Sequence, residues 1–361
     1  MDVSSLTRTL VSIPSHDDPT AVGDRLCEWL RTNTDATVER DEHGNVVARR
    51  GAGAQSLALV GHHDVVPPDD SQVEDGAYVL DRDDDRLYGR GSADMKGSLA
   101  AMACAFRDAD PAGELVFASF VGEEQGGVGC RAAIEDGFAP DFAVVGEGST
   151  GYSAAGVTDI AIAHKGRRGS TITAEGTAAH ASEPEAGENS IYRALDAVDI
   201  VRDLPFPETT VLGHDVSGSL AVTEIDGGSA WNVIPEACAV TVDERTVPGD
   251  RASLEQVERI DGVSWTVDQD LPPMACSDER FADIALEAAE GVQDGTPEFV
   301  IKPHATDAGW LAARADTTCL VVGAAEPGEA HTATESVSLP VVERCERLYR
   351  SIAERWPSPG E

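Results

Sequence analysis

The stretch Gly61-His62-His63-Asp64-Val65-Val66-Pro67, followed by Tyr88-Gly89-Arg90-Gly91-Ser92-Ala93-Asp94-Met95-Lys96-Gly97, decides how this chain of 361 residues is organised. Before it stands Leu57-Ala58-Leu59-Val60, an unbroken apolar run that predicts a buried strand. His62 and Asp64 therefore sit where a strand runs out into a loop. Open α/β sheets place their chemistry there. The second segment is a glycine-rich turn feeding a helix. Asp94 is expected at the helix start, and Leu99, Met102, Ala103 and Phe106 form one apolar face.

Working outward, residues 115–121 and 142–145 predict two more core strands. The first ends in Gly122-Glu123-Glu124-Gln125-Gly126-Gly127, with a helix to follow, and the second in Gly146-Glu147-Gly148. Three successive strands thus deliver histidine or acid into a glycine-containing loop, and strand, loop, helix in repetition marks an α/β layer. Upstream, Leu6, Leu10 and Val11 predict one helix, and Val22, Leu26, Trp29 and Leu30 a second. Residues 37–40 and 45–50 predict a hairpin, with His43 solvated at its tip.

The pattern changes near Asp159. Residues 160–164, 170–175, 219–226 and 237–243 alternate apolar and polar, the period of half-exposed antiparallel strands. Helices are expected near 190–202 and 253–260. Helices at 281–290, 306–314 and 341–355, with a strand at 318–322, return to α/β style. The expected fold is α/β: a domain of 1–160 and 275–361, whose mixed sheet is flanked by helices. Residues 161–274 are an α+β insert with a four-stranded antiparallel sheet and two helices.

Charge excludes some partners. Asp and Glu number 65 against 27 Lys and Arg, a formal net of −38, and lysine occurs only at Lys96, Lys165 and Lys302. Nucleic acid and anionic membrane are disfavoured as partners. Such self-repulsion destabilises a compact chain unless salt screens it, which points to a cytoplasm of very high salt, against the plainer reading of an acidic protein. The seven cysteines are dispersed without a C-x-x-C pair and several lie in apolar runs, as buried thiols in a reducing compartment do. The first residues carry no cationic, apolar signal pattern, and no apolar run is long enough to span a membrane. The expected location is cytoplasmic.

His62, Asp64, Asp94, Glu123, Glu124 and Glu147 all fall at predicted strand ends or glycine turns. Singly, each has a plain explanation: a loop histidine, a solvated Glu pair, a helix N-cap at Asp94. Together they would converge at one edge of a sheet. Carboxylates with imidazole suit Zn²⁺ or a similar cation. With one more histidine they would hold two metals, and a base not tied up as a ligand would be needed beside the water. Adjacent Glu123 and Glu124 can divide those roles. Gly146-Glu147-Gly148-Ser149-Thr150-Gly151 matches the letters of a nucleotide loop, but no amphipathic helix follows and a carboxylate would repel a pyrophosphate.

These segments, with Ala330-His331-Thr332, resemble in order the motifs of the M20 metallopeptidase family across essentially the whole chain. The nearest subgroup is similar to the acetylornithine deacetylase and succinyl-diaminopimelate desuccinylase enzymes. The resemblance implies a di-zinc amide hydrolase, with Co²⁺ able to substitute. His62, Asp94 and Glu147 would bind one zinc, and Asp94, Glu124 and His331 the other. Asp64 would accept the His62 ring N–H, and Glu123 would be the general base. His63 would be no ligand. Lys165-Gly166-Arg167-Arg168-Gly169 and Ala179-His180-Ala181 resemble the start of the family's dimerisation domain, which implies a homodimer and a His180 that stabilises the oxyanion in the partner subunit's site. The plainer reading of His180 is a loop histidine bonded to its own backbone. Asn232 and Arg245 would bind a substrate carboxylate, where the plainer reading of Arg245 is an ion pair. Thr306, with His304 and Asp307, resembles the family's Thr-Asp turn and would help hold an anionic substrate group. The expected substrate is a small anionic N-acyl amino acid, N-succinyl-L,L-diaminopimelate first. N-acetylornithine, a carrier-protein-linked lysine or ornithine derivative, or a peptide for a carboxypeptidase or dipeptidase are the alternatives. From another class, a catalytically silent metal-binding dimer would show a gap in the ligand or base set, and none is visible.

Overall fold

The computed structural model describes residues 1–111 and 113–356. The chain divides into two compact units. The first takes Met1–Ala163, Met274–Lys302 and the chain from Thr306 onward, and the second takes His164–Pro273 and Pro303–Ala305.

The first unit is built on a nine-stranded mixed sheet. Its order is Thr37–Arg40, Val46–Arg50, Glu114–Phe120, Ser56–His62, Phe142–Val145, Thr318–Val321, Ile160–His164 and Met274–Ala275, with Phe299–Lys302 also paired to Ile160–His164. Ser56–His62 lies at the centre, parallel to Glu114–Phe120 on one side and Phe142–Val145 on the other. Every residue of it is buried. This explains its continuous apolar run, because a parallel strand is covered on both faces. Glycine at position 61 is required by packing, since a Cβ there would lie 2.5 Å from Met95 Cε.

Helix Gly97–Asp108 is buried over ten of its twelve residues, from Gly97 to Phe106, and packs against Val3–Val11 and Leu339–Arg355. It is apolar all round because helices flank it as well as the sheet. The expected helix start at Asp94 is corrected. Asp94 has φ −122° and ψ 93°, outside the helical region, and the regular helix begins at Gly97. The expectation that 160–164 is half-exposed also fails: Ile160–His164 is fully buried and pairs antiparallel with Thr318–Val321 in the large sheet.

The second unit carries a four-stranded antiparallel sheet, ordered Ser219–Gly227, Ala237–Thr246, Gly166–Glu175, Val263–Leu271. Ile172, Ala174, Val240 and Val242 turn inward against Ala194, Ala197 and Val201 of helix Ser190–Asp203. The second helix expected here is instead a six-residue 3-10 segment, Leu254–Arg259. Leu254 and Val257 are its buried residues, three apart, the spacing of a three-residue turn. All seven cysteines are buried free thiols. Among the described residues no helix is long and apolar enough to cross a membrane.

Candidate active site

Register brings the strand ends together. His62 stands opposite Phe120, and Val60 opposite Val145. Asp64, the Gly122–Glu124 turn and Glu147 therefore leave the sheet at the same edge. Thr318–Val321 joins the array in parallel, Val321 opposite Val145, and the chain beyond it leads to His331. The Glu123 turn needs its glycines. Gly127 has φ +74°, and a Cβ there would stand 2.6 Å from the Trp310 ring and 2.8 Å from Asp307 Oδ1.

Two triads share one carboxylate. His62 Nε2 lies 3.1 Å from Asp94 Oδ1 and 3.2 Å from Glu147 Oε1. His331 Nε2 lies 3.1 Å from Asp94 Oδ2 and 3.1 Å from Glu124 Oε1. Ligand atoms around a tetrahedral ion with bonds of about 2.0–2.1 Å stand roughly 3.3 Å apart, so both triads have the spacing and the donor set of a zinc-type site. His331 adopts φ 61°, a left-handed conformation uncommon for a side-chain-bearing residue. Such outliers gather at functional sites.

The electrostatics fit a cation. Burial opposes charge on His62, but Asp64, Asp94 and Glu147 outweigh it and push the imidazole well above its ordinary value. Asp94 and Glu124 raise His331 to about 10. Burial alone would raise the Asp94 carboxyl, yet His331 and His62 hold it well below the usual range. Each histidine nitrogen faces carboxylates that can only accept, so the position attracts a proton or a metal ion alike.

Asp64 lies under this edge. The nearer acceptor for His62 Nδ1 is the Asp64 carbonyl, at 3.0 Å, with the carboxylate at 3.5 Å. An N–H at Nδ1 leaves the Nε2 lone pair free to ligate. The carboxylate meanwhile accepts the N–H groups of Glu123 and Glu124, each at 3.2 Å. It thereby fixes the turn that presents both acids. Burial, together with Glu147, Asp307 and Glu124, raises the Glu123 carboxyl well above its usual value, against the pull of His62. Glu123 stands in neither triad.

His63 faces elsewhere. Its Nδ1 is 2.7 Å from Ser119 Oγ, and burial pushes the ring down to about 3, which keeps it neutral. Thr306 caps its own helix, accepting the Ala308 N–H at 3.2 Å. His304 belongs to the second unit. There His180 is exposed, with Nδ1 2.7 Å from Ser182 Oγ. Asn232 is brought beside it: Ala181 N–H donates to the Asn232 carbonyl, and His180 pairs with Val233. Arg245 is held by Asp243, its Nε 2.8 Å from Oδ1.

Two residues escaped the sequence reading, Lys302 and Glu335, and a third, Asp307, was read only as part of the Thr306 turn. Lys302 Nζ donates to the Gly148 carbonyl at 2.9 Å and stands 3.8 Å from Glu147 Oε2. Its rarity as one of three lysines was the available signal. Asp307 is buried with both carboxylate oxygens unpartnered, and burial lifts it to about 7. Glu335 follows His331 by four residues in the same loop and reaches the Asp94 backbone.

The sequence profile described as Peptidase family M20/M25/M40 matches residues 58–355. A succinyl-diaminopimelate desuccinylase from Acidiphilium cryptum is 30% identical over 352 residues, spanning 91% of this chain and 88% of that protein. An acetylornithine deacetylase from Proteus mirabilis is 26% identical over 397 residues, spanning 97% and 96%. Among solved structures, aminopeptidase PepT from Bacillus cereus superposes with a TM-score of 0.81 at 19% identity, covering 98% of this chain and 97% of that one. That likeness shows the fold, while the profile and the desuccinylase relative carry the kinship in sequence. With two acid–histidine triads meeting at one strand edge, the chain belongs to peptidase family M20/M25/M40 and is one of its metal-dependent hydrolases.

Proposed function

We propose that this hydrolase removes an N-acyl group from the amino nitrogen of an amino-acid metabolite, N-succinyl-L,L-diaminopimelate before others, and so serves lysine biosynthesis. The observation that carries the chemistry is the Asp94 carboxylate shared by two triads, with the raised carboxyl of Glu123 beside them. His62, Asp94 and Glu147 would hold one Zn²⁺, and Asp94, Glu124 and His331 a second, with Co²⁺ able to replace either. Bound there, the two cations would polarise the amide carbonyl and lower the pKa of water. Glu123 takes a proton from the attacking water as the C–O bond forms. It gives that proton to the departing nitrogen as the C–N bond breaks, so the products are a carboxylate and a free amine. Asn232 and Arg245 are the proposed binders of the substrate carboxylate, and Arg245 must release Asp243 to act so. His180 is proposed to stabilise the oxyanion in a homodimer joined through the second unit.

The substrate order follows the desuccinylase relative, which covers most of both chains; the acetylornithine deacetylase relative makes N-acetylornithine the second choice. A parallel assay of both compounds in molar KCl with added Zn²⁺ decides between them. Faster release of succinate supports the reading, faster release of acetate reverses the order, and turnover of neither removes both.

A further inference from the structure

Buried ion pairs are weak contributors to stability, so the pair formed by Arg90 and Glu335 asks for another explanation. Arg90 Nη1 donates to Glu335 Oε2 at 2.6 Å, and the two side chains are only 4% and 1% exposed. The other oxygen of Glu335 has a separate task. Oε1 accepts the N–H of Ala93 at 3.1 Å and of Asp94 at 3.2 Å. The Glu335 carbonyl accepts the N–H of Gly89 at 3.0 Å. Directly after it, Ser336–Ser338 pairs antiparallel with Arg86–Tyr88, Ser336 opposite Tyr88. One residue thus closes the turn from Gly89 to Asp94 through both its backbone and its side chain.

Two backbone bonds close that turn, Ser92 N–H to the Gly89 carbonyl at 3.1 Å and Lys96 N–H to the Gly91 carbonyl at 2.9 Å, but neither holds the Asp94 N–H. Asp94 lies outside the helical region, and its backbone N–H is satisfied by a side chain rather than by a ladder. Yet Asp94 must aim one oxygen at the His62 triad and the other at the His331 triad, 3.1 Å from each imidazole. Sites of this kind tolerate displacements of about 0.5 Å before they loosen. His331 comes from the same short loop as Glu335. The loop that provides a ligand of one triad therefore also fixes the backbone of the residue shared by both.

We propose that Glu335 is a positioning residue that sets the bridging geometry of Asp94, so that the pairing of two metal ions depends on it. The proposal rests on the reading of the triads as a two-cation site. With Glu335→Gln, a single oxygen is left for Arg90 and for the two backbone N–H groups, so one side loses its acceptor and Asp94 can then turn toward one triad at the expense of the other. Loss of such outer hydrogen bonds typically costs 10–100-fold in metal affinity.

The test compares full-length wild type, Glu335→Gln and Glu335→Asp in molar KCl, each first shown folded by circular dichroism and a melt. Metal-free protein is titrated with Co²⁺ by calorimetry, and the loaded forms are examined by visible absorption and electron paramagnetic resonance. Wild type is expected to bind two Co²⁺ that are magnetically coupled. The two variants should bind the weaker ion 10–100-fold less tightly and give the signal of uncoupled Co²⁺. Glu335→Asp, which shortens the arm by one methylene, serves alone if Glu335→Gln does not fold. Folded variants with unchanged affinity and an unchanged Co²⁺ signal overturn the role of Glu335 and leave the two-cation reading standing. A wild type that takes up fewer than two Co²⁺ overturns that reading and this role with it.

Discussion

Asp94 Oδ2 lies 3.1 Å from His331 Nε2, although the two residues are far apart in the chain. The other oxygen of the same carboxylate lies at the same distance from His62 Nε2. No other residue belongs to both triads. Asp94→Asn keeps the shape but offers only one oxygen acceptor. Metal analysis of the purified variant should show fewer than two ions per chain, and kcat/KM should fall roughly 100-fold or more. A variant that keeps two ions and its activity contradicts the shared role.

Glu123 is held by the Asp64 carboxylate through its backbone N–H, and its own carboxyl is in neither triad. Glu123→Gln should lower kcat by about 10²–10⁴-fold while metal content stays at the wild-type value. A general base works unprotonated. The wild-type rate should therefore fall as pH falls through the Glu123 pKa, and this acid limb should be missing from the residual activity of the variant. An intact acid limb in Glu123→Gln assigns it to another group.

Asp307 is a buried carboxyl without a hydrogen-bond partner, raised from 3.8 to about 7 by burial, which His62 opposes and Asp64 and Glu147 reinforce. The sign follows from proton binding: between these values the folded chain holds the proton more tightly than the unfolded one. Its contribution is then fully present below about pH 4 and is lost as pH rises through about 7. Asp307→Asn does not ionise. In chelated protein its stability relative to wild type should rise by on the order of 4 kcal/mol from pH 4 to pH 8, read by urea unfolding. A relative stability that is flat or falling with pH contradicts the burial of a charge there.

What the sequence made legible depended on how local the signal was. Leu57–Val60 and residues 142–145 announced themselves because a strand buried on both faces is a continuous apolar run. Three such strands in one order place His62, Glu123, Glu124 and Glu147 at one edge. Residues 160–164 misled because small alanines alternate with isoleucine there, and Ala161 and Ala163 are as buried as their neighbours. Asp94 misled because Gly97, not the acid, opens the helix. Lys302 and Glu335 stayed hidden because their partners, the Gly148 carbonyl and the Asp94 backbone, are remote in sequence, and the buried, unpartnered state of Asp307 has no local signature. His180 bonds Ser182 and Arg245 bonds Asp243 locally, and a bound substrate would have to displace either bond.

The surplus of acidic over basic residues makes a salt prediction. Raising the ionic strength from 0.01 M to 1 M shortens the screening length from about 30 Å to about 3 Å, which suppresses repulsion between exposed carboxylates. Tm should climb steadily with KCl. A Tm that is flat or falls between these limits contradicts adaptation to a salt-rich cytoplasm.

The most direct measurement is a Zn²⁺ titration of chelated protein in molar KCl, following release of the amine from N-succinyl-L,L-diaminopimelate and N-acetylornithine while bound metal is counted. The expected result is no turnover without metal, and activity that rises with bound Zn²⁺ to a plateau at two ions per chain. Full activity after chelation, or two ions bound with no amide hydrolysed, would contradict the assignment of these triads as a two-metal amide hydrolase.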